Sequence, residues 1–213
     1  MKIEKITKFL LLVSFAAIVF DLARLDIWGT TDLLYLVWNL FLAWIPYIIS
    51  VYCIKKDTPV VYFTPLLFLW LLFFPNAPYL VTDILHVSLS LPPLLWYDSL
   101  LLFFFGWIGL LLGLLSLSYI HQYLRTHLNY WYSEIFILAI CFVSSCGIYL
   151  GRFERWNSWD LFISPFQMIK TSIFLLLNLF HAGTPLLFMS VFTTFLYLAY
   201  KTIQVLLVDK NEV

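Results

Sequence analysis

Charge is what this chain has least of. Of its 213 residues, 12 are Lys or Arg and 12 are Asp or Glu, 11% in all, and the two signs cancel. A soluble domain carries about a quarter charged residues, so there is too little polar surface here to face water on every side. The balance of signs also withholds the positive footprint that nucleic acid binding requires. Cysteine is scarce: Cys53, Cys141 and Cys146 have neither metal-type nor disulfide-type spacing and read as small apolar packing residues. No HExxH and no Cys/His cluster occurs, so neither a metal nor a cofactor is expected. No Ser, Thr or Cys stands in a recognisable nucleophile motif. Repeats, linkers and low-complexity stretches are missing as well, which leaves one integral membrane domain over 1–213 as the expectation.

What is present is apolar. Hydrophobic residues make up 63%, mean hydropathy is +0.94, and 21 Phe, 13 Tyr and 9 Trp suit aromatic belts at two membrane interfaces. The apolar residues come in blocks that meet the roughly twenty needed to cross a bilayer. The expected fold class is all-α: a polytopic transmembrane helix bundle with spans near 7–24, 33–54, 59–80, 96–119, 132–151 and 185–207. Lys2, Lys5 and Lys8 ahead of the first block resemble a signal peptide, but no small-residue cleavage site precedes Asp21, so an uncleaved anchor is expected. Residues 161–182 are apolar on average yet hold Pro165, Gln167, Lys170 and Asn178. A mid-span lysine costs about 2.5–3.5 kcal/mol, so an interfacial or re-entrant helix is expected there, with a seventh span as the alternative.

Lysine and arginine set the orientation. With six spans and the N-terminus inside, Lys2, Lys5, Lys8, Lys55, Lys56, Arg125, Lys201 and Lys210 face the cytoplasm, against Arg24, Arg152, Arg155 and Lys170 outside. Eight against four favours N-in and C-in; a seventh span would erase the bias. His121 and His127 read as cytoplasmic loop groups with Lys55, Lys56 and Arg125.

The stretch LFFPNAPYLVTDILH, 72–86, interrupts the third span. At about 1.5 Å per residue from Pro59 the chain has climbed about 24 Å by Pro75, short of a hydrocarbon core about 30 Å thick. The Pro-Asn-Ala-Pro break therefore lies in the outer leaflet, where Asn76 can satisfy backbone groups that the prolines free. Asp83 and His86, three apart, share a face if the helix resumes. WYDSLLLFF places Asp98 in the first turn of the fourth span, where the helix dipole favours a carboxylate. GIYLGRFERWNSWD, after the fifth span, carries Arg152, Arg155, Asn157, Trp159 and Asp160, a pattern suited to a short amphipathic helix that grips a phosphate or carboxylate headgroup. Ionisable residues near a membrane interior point to function. The structural reading of the same residues pairs Asp83 and Asp98 with Arg152 and Arg155 across helix ends.

The blocks NLFLAWIPY (39–47), FPNAPYLVTDILH (74–86), WYDSLLLF (96–103) and GIYLGRFERWNSWD (147–160) resemble the bacterial integral membrane family catalogued as domain of unknown function 1361. The resemblance covers roughly 35–205. It implies a multi-pass protein of the bacterial plasma membrane and weights Asn39, Pro75, Asn76, Pro78, Asp83, His86, Asp98, Arg152, Arg155, Asn157 and Asp160 as motif positions. It implies no activity.

Three function classes stay open. One is a lipid- or partner-binding protein, with membrane lipids, a protein partner or a second copy as occupants of the Arg152, Arg155, Asn76, Asn157, Trp159 and Asp160 side. Another is an enzyme on a lipid or lipid-linked substrate at the outer leaflet, with His86 as acid or base, Asp83 orienting it and Asp98 nearby; a metal variant would add His181. The last is a small transporter using the broken span. Orientation is open to direct test. Cysteines placed at Ser90 and Ser158 are expected to react with an impermeant thiol reagent on intact cells; reaction only after permeabilisation would overturn the six-span arrangement.

Overall fold

In lipid every backbone N–H and C=O has to be satisfied within the chain, and the fold that results is helical throughout the described residues. The computed structural model describes residues 2–55, 58–89, 92–177 and 183–208. The helices in order are α1 (Lys2–Trp28), α2 (Tyr35–Lys55), α3 (Val60–Phe73), α4 (Asn76–Thr82), α5 (Leu95–His127), α6 (Tyr130–Phe153), α7 (Asp160–Ile163), α8 (Pro165–Leu177) and α9 (Gly183–Val208). Short 3-10 turns at Asp83–Leu89 and Pro92–Leu94 join α4 to α5. Among the described residues six segments are long and apolar enough to cross a membrane: Ile3–Trp28, Tyr35–Ile54, Val60–Val87, Pro92–His127, Tyr130–Phe153 and Gly183–Leu206. The protein is a multi-pass helical membrane protein.

The segment expected to be interfacial or re-entrant forms no span in its described part. α8 has 13 residues, about 20 Å of helix against a hydrocarbon thickness of about 30 Å. Phe166, Ile169, Ile173 and Leu177 follow a three-to-four spacing and are all exposed, which is the build of a helix lying in an interface. Asn178 and His181 lie outside the described residues.

The chain divides into two compact units, Met1–Ile120 and His121–Val213. In the first, α1, α2, α4 and α5 up to Ile120 enclose a core that includes Leu36, Leu40, Ala43, Tyr47, Ala77, Leu80, Phe105, Ile108 and Leu112. The Pro-Asn-Ala-Pro break is mild in geometry, for Phe74 and Pro75 both keep right-handed helical dihedrals. Pro78 cannot donate to Phe74 O, and Ala77 N takes that carbonyl at 3.2 Å instead. Asn76 Nδ2 donates to Phe73 O at 2.9 Å, which is the service expected of it. Tryptophan and serine link three helices: Trp70 Nε1 donates to Ser116 Oγ at 2.6 Å, and Ser116 Oγ donates to Pro46 O at 3.0 Å.

Gly106, Gly109 and Gly113 share one face of α5 and receive α4 at backbone distance. A Cβ on Gly109 would stand 2.5 Å from Ala77 O and 2.9 Å from Leu80 Cβ. Small residues in this role let membrane helices approach closely. In the second unit α6 packs on α9, with Thr193 Oγ1 donating to Ser145 Oγ at 3.0 Å and Cys146 Sγ meeting Met189 Sδ at 3.7 Å. Cys53 and Cys141 are buried.

In an open helical site Gly→Ala gains up to about 1 kcal/mol. At Gly109 the sign should reverse: Gly109→Ala is expected to cost about 1–3 kcal/mol by overpacking, read as a lower midpoint in thermal unfolding of the detergent-solubilised protein. A raised midpoint would refute the close seat of α4.

Candidate functional site

The first unit gathers its polar side chains at one end. α1 ends there, α2 begins there, the 3-10 turn after α4 closes there and α5 starts there. Arg24, on the penultimate turn of α1, is 3% exposed and lies in the buried interior. Its Nε donates to Asp98 Oδ1 at 2.6 Å and its Nη2 to Asp98 Oδ2 at 3.0 Å. Nη1 closes on Thr30 Oγ1 at 2.7 Å and on Thr30 O at 3.3 Å. The two-pronged geometry fits a planar guanidinium to a carboxylate. Within the first unit the cation on Asp98 is Arg24, which the sequence marks only as an orientation charge. Asp98 does stand in the first turn of α5, as expected. Nearby, Tyr97 Oη donates to Phe20 O at 2.7 Å and its ring packs on Trp28.

Asp83 and His86 do share a face, on the 3-10 turn. Asp83 is fully buried. Its Oδ2 accepts from Asn39 Nδ2 at 3.3 Å, and its Oδ1 faces His86 Nδ1 at 3.7 Å, with the imidazole side chain 35% exposed. The Tyr35 ring sits 5.4 Å from the imidazole, tilted. A carboxylate on Nδ1 orients the ring and puts Nε2 on the opposite edge. Asn76 Nδ2 serves the backbone of the break at Phe73 O.

In the second unit the GRFERWNSWD stretch departs from the expected amphipathic helix. α6 stops at Phe153, and Arg155 takes the left-handed conformation at φ 60. Trp156 N then reaches back to Leu150 O at 3.1 Å, closing the helix end with arginine in the left-handed position where glycine is usual. Arg152 and Arg155 therefore do not form a helical face with Trp159. Asp160 Oδ2 accepts from Asn157 N at 2.7 Å and from Asn157 Nδ2 at 3.4 Å, so both serve the loop that leads into α7. Arg155 and Asn157 are exposed, while Arg152, Trp159 and Asp160 are half-buried.

His121 also departs from expectation. It is a buried helix residue, 1% exposed, because α5 continues to His127. Lys201 Nζ donates to Glu134 Oε2 at 2.6 Å and to Gln204 Oε1 at 3.0 Å. That leaves Gln204 Nε2 turned toward His121 Nδ1 at 3.1 Å. A donor there makes Nδ1 an acceptor, so the ring proton of neutral His121 sits on Nε2, 4.0 Å from Glu134 Oε1. Tyr200 Oη completes the group at Nδ1. Among the described residues no three His, Cys, Asp or Glu side chains converge as a metal site; His181 lies outside those residues.

Arg24, Asp21, Thr30 and the His121 group carry no role in the sequence reading. Arg24 was legible only as an orientation charge, three residues after Asp21 at the end of an apolar run. The ion pair has a direct test. Arg24→Gln or Asp98→Asn alone should cost about 3–5 kcal/mol by leaving a buried charge without its partner. The double substitution should recover much of that loss. Thermal unfolding of the four proteins in detergent measures it, and additive losses would refute the pairing.

No curated protein and no solved structure matches the chain. The family described as "Protein of unknown function (DUF1361)" matches residues 38–199, which include Asn39, Asp83, His86, Asp98 and the 152–160 loop but leave out Asp21 and Arg24. The chain belongs to that family.

Proposed function

We propose that the polar end of the first unit binds the headgroup of a membrane lipid or lipid-linked molecule at the extracytoplasmic side, with His86 as the contacting group. The observation that carries this reading is the asymmetry of the Asp83–His86 pair. The carboxylate is sealed, fixed on one oxygen by Asn39, while the imidazole it orients is about one-third exposed. A histidine kept for packing alone would bury its ring with its partner. Trp28 and Trp96 are exposed at the same end, as aromatic rings at headgroup level are.

The same oriented imidazole supports a second reading, acid–base catalysis on a lipid-linked substrate. N-in and C-in orientation, from the lysine and arginine bias, puts both readings on the outer face in the plasma membrane of a bacterium.

Purified protein should gain thermal stability on titration with phosphatidylglycerol and less with phosphatidylcholine. At a hundredfold excess over Kd the gain is about 2.7 kcal/mol. His86→Ala should keep the lipid-free midpoint and lose most of the gain. An undiminished response in His86→Ala would defeat the binding reading. Turnover of a lipid substrate that is lost in His86→Ala would promote the catalytic one.

A further inference from the structure

We propose that Asp21 is a proton-binding site within the membrane, and that its proton governs the Arg24–Asp98 pair. Asp21 lies on α1 three residues before Arg24 and is 2% exposed; its Oδ2 is buried and has no hydrogen-bond partner in the protein. It is close enough to Arg24 and Asp98 to interact with both charges. The other titratable groups facing this cluster are Tyr97 from α5 and Asp32, which acts on Arg24 from the α1–α2 connection.

Charge counting decides the state. Arg24 carries one positive charge, and Asp98 already takes two of its N–H groups while Thr30 takes two more. Asp32 is exposed to solvent, so among the buried groups an ionised Asp21 would add a second carboxylate to a single guanidinium and leave one net negative charge out of reach of water. Burial of an uncompensated carboxylate is avoided by taking up a proton. With the proton on, the cluster is neutral and the Arg24–Asp98 brace is undisturbed. With the proton off, two carboxylates draw on one guanidinium, and Asp21 competes from the same helix face, three residues away. Proton occupancy at α1 is thereby coupled to the tie between α1 and α5. This inference does not depend on lipid binding at His86.

A hydrophobic carbodiimide reports such a group. The protonated carboxyl adds across one C=N bond, its proton passes to nitrogen, and the acyl group migrates to give a stable N-acylurea. The full chain in lipid nanodiscs would be treated with N,N′-dicyclohexylcarbodiimide over a pH series and mapped by peptide mass spectrometry. The adduct is expected on Asp21, absent from Asp21→Asn, and reduced about tenfold per pH unit once the carboxyl ionises. Asp21→Asn mimics a neutral carboxyl and should unfold near the parent temperature, in contrast to Asp98→Asn. An adduct chiefly on Asp98, no adduct at any pH, or destabilisation by Asp21→Asn equal to that by Asp98→Asn would each overturn the proposal. So would protection by sodium chloride but not choline chloride at fixed pH, which would make a metal cation the occupant.

Discussion

Wherever a spanning helix loses a hydrogen bond, the partner has to come from the protein, because the surrounding hydrocarbon offers none. That constraint explains otherwise unrelated details. Pro78 withdraws the donor that Phe74 O would take and Ala77 N fills in, while Asn76 Nδ2 serves Phe73 O, the carbonyl that Ala77 N has left. The Trp70–Ser116–Pro46 chain ties α3, α5 and α2 through a single hydroxyl. Polar residues in the apolar stretch serve as stitches between helices.

The two units pair their charged groups differently. In the first, a guanidinium faces a carboxylate with both prongs engaged. In the second, a carboxylate, an ammonium, an amide, an imidazole and a phenol are strung in that order, and the amide that accepts from Lys201 turns its N–H to His121. Desolvating either set is expensive, and only near-complete pairing makes it tolerable.

Local chemistry was legible in the sequence and long-range partnership was not. Composition fixed the solvent, and apolar run length located all six spans. The proline break and the role of Asn76 were readable because both act within one turn. The ends of spans were misjudged where hydropathy fell before the helix stopped, which is why His121 passed for a loop residue although α5 runs on to His127. Arg155 in a left-handed closure has no compositional mark, since glycine is the residue that signals one. The partner of Asp98 depends on which helix end lies beside α5, and no spacing along the chain encodes that. Asp83 and His86 were paired correctly because three residues of helix suffice to bring them together.

The glycine seat on α5 has a mechanical consequence. Where a Cβ would meet Ala77 O at 2.5 Å, α4 cannot roll about its own axis without driving side chains into the neighbouring backbone. The close seat therefore fixes the rotation of α4 about its own axis, and with it the face that the following turn, bearing Asp83 and His86, presents.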